Sequence, residues 1–385
     1  MLSAMIPFSL EMPRAIHFGV GALRKLPEII RDVGRKILIV SGSRWLAGSR
    51  WESKIMEGFT DCSVQRLSCP LSEPTSRSLA EASAAAAGFA PDALVAVGGG
   101  SVLDTAKALS ALLRYPGPVD RFLEGVPGAV PVPGPCLPWV AVPTTAGTGA
   151  EATKNAVVRV ESLGVKRSMR SSHLLAYSVV VDPQLAASLP ASVTGTSGLD
   201  ALTQLVESYV SRATTPFVQA IVEGAFPLML DALTGLHRDP ENLDLRAKAA
   251  YGALVSGIAL ANAGLGAAHG FAAAVGGMYA VPHGLACAVL LPPVLAANRD
   301  VIRDAVGRLV APWIESSTRR DPVAWLAEEV RSLLSAYGLP SDLRGFHIPT
   351  GDIPELAEKS SGASMRGNPR ELSMEERISI LSRVI

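Results

Sequence analysis

The stretch DALVAVGGGSVLDTAKALSALL, residues 92–113, decides the fold. Its first six residues form an apolar run, as a strand buried on both faces does. The run breaks into Gly98-Gly99-Gly100-Ser101, and beyond it the apolar spacing becomes helical. A strand that ends in glycine and starts a helix leaves bare backbone N–H groups at the helix N-terminus. Those donors and the positive end of the helix dipole attract a phosphate. Glycine is needed because a β-carbon would block the ligand's close approach. Ser101 can cap the helix or meet the phosphate. The motif is not GxGxxG, so the usual dinucleotide fingerprint does not apply, and such turns also occur with no ligand.

Three more runs surround this one: residues 36–43 (KILIVSGS), 138–142 (PWVAV) and 177–181 (YSVVV). Strands separated by helical segments imply a parallel sheet covered on both faces. The run at 138–142 leads into Pro143-Thr144-Thr145-Ala146-Gly147-Thr148-Gly149, whose hydroxyls and glycines face the carboxyl edge where open α/β sheets bind ligands. From residue 191 the pattern changes to helix-period segments broken by Pro and Gly, at 198–211, 217–234, 245–261 and 321–337. The sequence therefore predicts an α/β nucleotide-binding domain over 1–189, Rossmann-like with a parallel sheet, followed by an all-helical domain over 190–385.

Composition narrows the function. The 385 residues carry 35 Lys+Arg against 35 Asp+Glu, with 48% hydrophobic and 18% charged residues. Such a chain has a core to bury and is not disordered. It has no basic excess for general nucleic-acid binding. Four cysteines (Cys62, Cys69, Cys136, Cys287) without a CxxC argue against a disulfide scaffold or thiolate zinc site and for a reducing, cytoplasmic setting. The N-terminus lacks the basic region of a signal peptide. Residues 249–298 contain no Asp, Glu, Lys or Arg, length enough for two membrane spans, but His269, Pro282, His283 and Pro292-Pro293 favour a buried helical hairpin.

A metal site is the second candidate. Asp200 and Gln204 are four apart in a helical segment and share one face. His269 and His283 lie in the charge-free stretch, where a buried imidazole is either a hydrogen-bonded core residue or a ligand. Imidazole with carboxylate suits iron or zinc.

Together these pieces resemble the iron-containing (group III) alcohol dehydrogenases over nearly the whole chain. The carriers are GGGSVLDTAKA (98–108), PTTAGTGAEAT (143–153), VVVDPQL (179–185), GLDALTQLVESYVS (198–211), the His269/His283 pair and Gly367-Asn368-Pro369-Arg370. The resemblance implies a dehydroquinate synthase-like architecture, with metal and nicotinamide in the cleft between two domains. It implies cofactor contacts at Gly99, Gly100, Ser101, Asp104, Thr144, Thr145, Asn155 and Lys166, and metal ligands at Asp200, Gln204, His269 and His283. The ion is Fe2+, or else Zn2+, and the cofactor NAD or NADP. The implied reaction interconverts an alcohol and an aldehyde or ketone by metal-assisted hydride transfer. A small-molecule substrate, no nucleic acid, no membrane and a homodimer by default complete the expectation.

Three positions depart from the family pattern. Gln204 stands where the family usually has His, and Ala273 where many members carry a proton-transferring His. Gly42 replaces an Asp that many NAD-specific members place at the end of the first strand. The departures keep open a metal-independent reductase resembling maleylacetate reductase and, further off, a dehydroquinate synthase-like lyase or a nucleotide-binding protein without turnover. A carboxylate at residue 42 would bind the ribose hydroxyls and repel a 2′-phosphate. With Gly42 that repulsion is gone, and Arg44 either pairs with the phosphate or is a solvated surface residue. We therefore expect the protein to accept NADP(H). Comparing kcat/KM for NADH and NADPH checks this, and strong selectivity for NADH would refute it.

Overall fold

The computed structural model of the chain describes residues 7–42, 46, 48–69, 73–314 and 321–385, so Arg44 lies outside the described residues. The chain divides into two compact units. One spans Met12–Ser188, and the other comprises Leu189–Ile385 together with residues 7–11. That short N-terminal piece joins the helical unit because Asn262 pairs with both backbone groups of Glu11. It accepts the N–H at 2.8 Å and donates to the carbonyl at 2.9 Å.

In the first unit, among the described residues, six strands form one parallel sheet. They are β1 (Ala15–Phe18), β2 (Lys36–Gly42), β3 (Ser63–Cys69), β4 (Ala93–Gly98), β5 (Trp139–Pro143) and β8 (Ser178–Val181). Their order is β1-β8-β5-β4-β2-β3, while β6 (Asn155–Val160) and β7 (Val165–Arg170) form an antiparallel hairpin. Helices α1 (Leu26–Val33), α2 (Arg50–Met56), α3 (Ser76–Ala87) and α4 (Gly100–Arg114) connect the strands. The four apolar runs of the sequence are β2, β4, β5 and β8, whose residues are almost all buried. The sequence reading passed over β1 and β3, the edge strands. They are half-exposed, and β3 carries polar residues in place of a continuous apolar run.

Strand order positions the ligand edge. The chain runs outward from β2 to β3 and then returns across β2 to β4, so its direction of travel reverses there. Ser41 lies opposite Val97, and Pro143 opposite Gly98. Gly42, Gly98 and Pro143 therefore end three neighbouring strands at the point where open α/β sheets form their binding crevice.

A buried charged group fastens the β6–β7 hairpin to α4. Lys107, with no exposed surface, donates to Asp104 Oδ1 at 3.2 Å, Thr153 Oγ1 at 2.6 Å and the Asn155 carbonyl at 2.7 Å. Asp104 Oδ2 accepts the Val157 N–H at 3.0 Å.

The second unit is helical. Its elements are α5 (Ala191–Val210), α6 (Pro216–Leu236), α7 (Leu243–Ala263), α8 (Ala267–Met278), α9 (His283–Leu309), α10 (Pro322–Ala336), α11 (Ile353–Lys359), α12 (Ala363–Gly367) and α13 (Met374–Ser382). The charge-free stretch does not form the expected hairpin. It spans three helices, with α7 and α8 bent by 99° about a break at Gly264, whose φ of +66° favours glycine. Helix α9 continues through Pro292-Pro293. By length and composition α6 and α9 could cross a membrane. However, 72% of the most apolar window of α9 is buried inside the fold, packed against α5, α8 and α10, and a helix apolar all round is accounted for by such burial.

The closing motif is a clasp. Asn368 Oδ1 accepts from the Ala267 N–H at 3.3 Å and from Asn298 Nδ2 at 3.0 Å, while Asn368 Nδ2 donates to Asn298 Oδ1 at 2.9 Å. The start of α8 and the middle of α9 are thereby held together.

Buried Glu151 supplies a pH test of the α/β unit. Burial pushes its carboxyl up to about 7, against the opposing pull of a backbone hydrogen bond and of Lys107. A raised carboxyl stabilises the fold below its unfolded value, and that contribution is lost as pH rises through about 7. Glu151→Gln should remove this loss, gaining on wild type by on the order of 1–3 kcal/mol between acid and mildly alkaline pH. Thermal melts of both proteins across that range check it, and parallel pH profiles would refute it.

Candidate functional site

Helix α5 carries the two carboxylates of the site. Asp200, Gln204 and Glu207 lie along one face, each almost fully buried. His269 sits in the first turn of α8, where Glu207 fixes it: His269 Nδ1 lies 2.6 Å from Glu207 Oε2. The same carboxylate accepts the Ala268 N–H at 2.7 Å and the Gly266 N–H at 3.0 Å. A carboxylate at a helix N-terminus is favoured by the dipole. Here it also fixes the ring, turning Nδ1 toward Glu207 and Nε2 toward the cluster. His269 Nε2 faces Asp200 Oδ1 at 3.2 Å.

His283 is the first residue of α9, and its Nε2 lies 3.9 Å from Asp200 Oδ1. The glycine after it permits this approach. A β-carbon at Gly284 would fall 2.2 Å from the Thr196 carbonyl oxygen and 3.2 Å from Asp200 Cβ, so any larger residue would push α9 away from α5. One turn on, Cys287 Sγ lies 3.6 Å from His283 Nε2. Asp200, His269, His283 and Cys287 each place a donor atom within 4.8 Å of the others, and this donor set suits a divalent cation.

Electrostatics follow the geometry. Burial alone would raise the Asp200 carboxyl, but His283 and His269 overcome it and hold it below its ordinary value. Burial opposes charge on His283, yet the neighbouring Cys287 and Asp200 outweigh it and raise the imidazole to about 9.

The expected ligands behave unequally. Asp200, His269 and His283 converge. Gln204 lies one turn from Asp200, but its Oε1, the atom through which an amide ligates, accepts the Ser256 hydroxyl at 2.8 Å. Sequence reasoning missed Cys287 and Glu207. The available signal was helical spacing, His283 to Cys287 at i,i+4 and Asp200 to Glu207 at i,i+7.

In the α/β unit, Gly99 is the N-cap of α4 and Gly100 its first residue, with no side chain capping that end. A β-carbon at Gly100 would lie 2.8 Å from Thr148 Oγ1, and one at Gly99 would lie 3.1 Å from Thr145 Cγ2. The two glycines thus let the 143–149 loop close against the helix start, with Ser101, Thr144 and Thr145 alongside. Gly42 has space beside it, the nearest atom to an added β-carbon being Val102 Cγ2 at 3.9 Å. Asn155 Oδ1 is buried and has no hydrogen-bond partner among the described residues, which suits it to accept from a ligand hydroxyl or amide. Asp104 is committed to Lys107 and Val157, and Lys166 pairs with Glu73 at 2.6 Å on the hairpin. The glycine cradle and the unpaired Asn155 oxygen fit a dinucleotide.

Residues 13–183 match the model of the iron-containing alcohol dehydrogenases, and residues 194–385 match the C-terminal model of that family. The chain is 33% identical over 290 residues to lactaldehyde reductase of Escherichia coli K12, covering 74% of this chain and 75% of that protein. It is 27% identical over 381 residues to the NAD-dependent methanol dehydrogenase of Bacillus methanolicus, covering 97% and 99%. The crystal structure of a 1,3-propanediol oxidoreductase superposes with a TM-score of 0.91 at 27% identity, covering 99% of this chain and all of that one.

A cation at this cluster competes with protons. Because His283 stays protonated up to about pH 9 in the metal-free site, affinity for a divalent ion should climb as pH rises toward that value. Chelator competition repeated at steps of roughly one pH unit between neutral and mildly alkaline pH checks it. An affinity independent of pH would refute the assignment.

Proposed function

The chain belongs to the iron-containing alcohol dehydrogenase family, and we propose that it works within it as a metal-dependent, NAD(P)-linked alcohol dehydrogenase or aldehyde reductase. The observation that carries the reading is the convergence of Asp200, His269 and His283 inside the region matched by the family's C-terminal model. When bound, the cation supplies Lewis acidity toward an alcohol or carbonyl oxygen, and the nicotinamide supplies or receives the hydride.

The chain's own residues divide the remaining work. Asp200, His269 and His283 would hold the cation, and Glu207 orients His269 through Nδ1. Backbone N–H groups of Gly99, Gly100 and Ser101 at the start of α4 would receive the pyrophosphate, with Thr144 and Thr145 nearby. Asn155 Oδ1 would accept from the cofactor, and Gly42 leaves the end of β2 without a carboxylate. Asp104 and Lys166 act at one remove, by setting the hairpin through Lys107 and Glu73. Ala273 carries no proton, so the proton accompanying hydride transfer passes by another group.

The matched relatives are named for lactaldehyde, methanol and 1,3-propanediol, and also for choline, long-chain alcohols and sulfoacetaldehyde. They support an alcohol or aldehyde as substrate, and the charge-free stretch that carries His269 and His283 favours its less polar members. The maleylacetate reductase-like and dehydroquinate synthase-like alternatives are not favoured, because the relatives are alcohol and aldehyde oxidoreductases and the donor cluster is retained.

Elemental analysis of protein purified without chelators, with aldehyde reduction followed through NADH or NADPH consumption, tests the reading. Near-stoichiometric divalent metal is expected, with His283→Ala losing both metal and at least about 100-fold in activity. Undiminished reduction by metal-free protein would overturn it.

A further inference from the structure

We infer that Cys287 takes the ligand position vacated by Gln204, and that the exchange turns the site from iron(II) toward zinc. The inference rests on the proposed metal-dependent reading and deepens it. Three observations support it, and none is a property of Cys287 alone.

The first is spacing. A tetrahedral zinc site with bonds of about 2.0–2.1 Å to N or O and about 2.3 Å to S sets its donors about 3.3 Å apart, or about 3.6 Å where one is sulfur. The cluster shows 3.2 Å between His269 Nε2 and Asp200 Oδ1, 3.9 Å between His283 Nε2 and Asp200 Oδ1, and 3.6 Å between Cys287 Sγ and His283 Nε2. Sulfur already sits at ligand distance from its neighbour. His283 and Cys287 present their donors from successive turns of α9, whose start is held against α5 at Gly284.

The second is the state of Gln204. Its carbonyl oxygen lies 2.8 Å from the Ser256 hydroxyl, which is equally close to the Ala253 carbonyl, so turning Gln204 toward the cluster would give up a buried polar contact. The third is donor softness. Asp200 and Cys287 are both buried. Thiolate is the softest donor available to proteins, and a set of one sulfur, two imidazoles and one carboxylate favours zinc over iron(II).

Cobalt(II) reports the ligands directly. The full-length protein, stripped with chelator and reloaded with cobalt(II), should show a near-ultraviolet sulfur-to-cobalt charge-transfer band together with visible bands of tetrahedral cobalt. Cys287→Ser should lose the charge-transfer band, keep cobalt at raised concentration, and bind zinc at least about 10-fold more weakly, as loss of a direct ligand must exceed the usual cost of an outer partner. Gln204→Ala should keep the band. Zinc outcompetes iron(II) at most such sites, so the readout is the ratio of zinc to iron(II) bound from equal offers without oxygen, which should be higher for wild type than for Cys287→Ser. Gln204→His/Cys287→Ser, a double variant that restores an imidazole donor, guards against misfolding of the single variant. It should bind cobalt without the charge-transfer band and shift uptake toward iron(II).

Cobalt bound by wild type without a charge-transfer band, or a band that survives Cys287→Ser, would overturn the assignment of Cys287 while leaving metal dependence intact. Wild type that takes up no divalent ion, with uptake restored by Gln204→His alone, would overturn both the assignment and the metal-dependent reading.

Discussion

Glu207, on the buried face of α5, accepts hydrogen bonds from the Gly266 and Ala268 backbone and from His269 Nδ1. Without a partner, those N–H groups at the start of a buried helix would cost on the order of 1–3 kcal/mol each. One carboxylate satisfies them, sets the direction in which α8 leaves the sharp bend after α7, and fixes the side of the imidazole that faces Asp200. The same constraint explains why an acid is tolerated in so apolar a helix. The Asn368 clasp acts on the same helix start, tying Ala267 to Asn298 of α9. The donor cluster therefore stands on supports drawn from α5, α8, α9 and the residues after α12.

In the α/β unit the corresponding constraint is steric. Three strand ends, at Gly42, Gly98 and Pro143, meet where the strand order reverses, and two glycines bring the 143–149 loop against the start of α4. A buried lysine then fixes the hairpin that bears Asn155. Its ammonium is matched by one carboxylate and two neutral oxygens, so this buried charge is paired and hydrogen-bonded as low-dielectric surroundings require. The backbone is left free to meet a ligand while the side chains beneath it are committed to one another.

The proposed exchange between residues 204 and 287 would change a donor without changing the frame of the site. Positions 204 and 287 lie on different helices, yet each is within one turn of a member of the cluster, Asp200 on α5 and His283 on α9. Helical spacing of four residues brings either within reach of the same volume. Loss of a donor on one helix can then be met from the other, at the cost of altering charge and softness rather than geometry.

The sequence by itself determined the parallel sheet, the glycine turn at 98–100 and the retention of Asp200, His269 and His283, because these are written in local patterns: apolar runs, Gly-rich breaks and motif spacing. It also marked the helical half and its charge-free stretch. It did not reveal the edge strands β1 and β3, whose half-exposed residues dilute the apolar signal. Nor did it reveal the division of residues 249–298 among three helices, since the bend at Gly264 and the continuation of α9 through two prolines depend on what packs around them. Only the tertiary structure decided that Cys287 faces the metal donors and that Gln204 is engaged by Ser256, 52 residues away. Pairings such as Asp200 with His269 and Ala267 with Asn368 join residues 69 and 101 apart. No local propensity encodes such contacts. They exist because the burial of whole helices brings those side chains to one point, which is a property of the packed chain rather than of any segment.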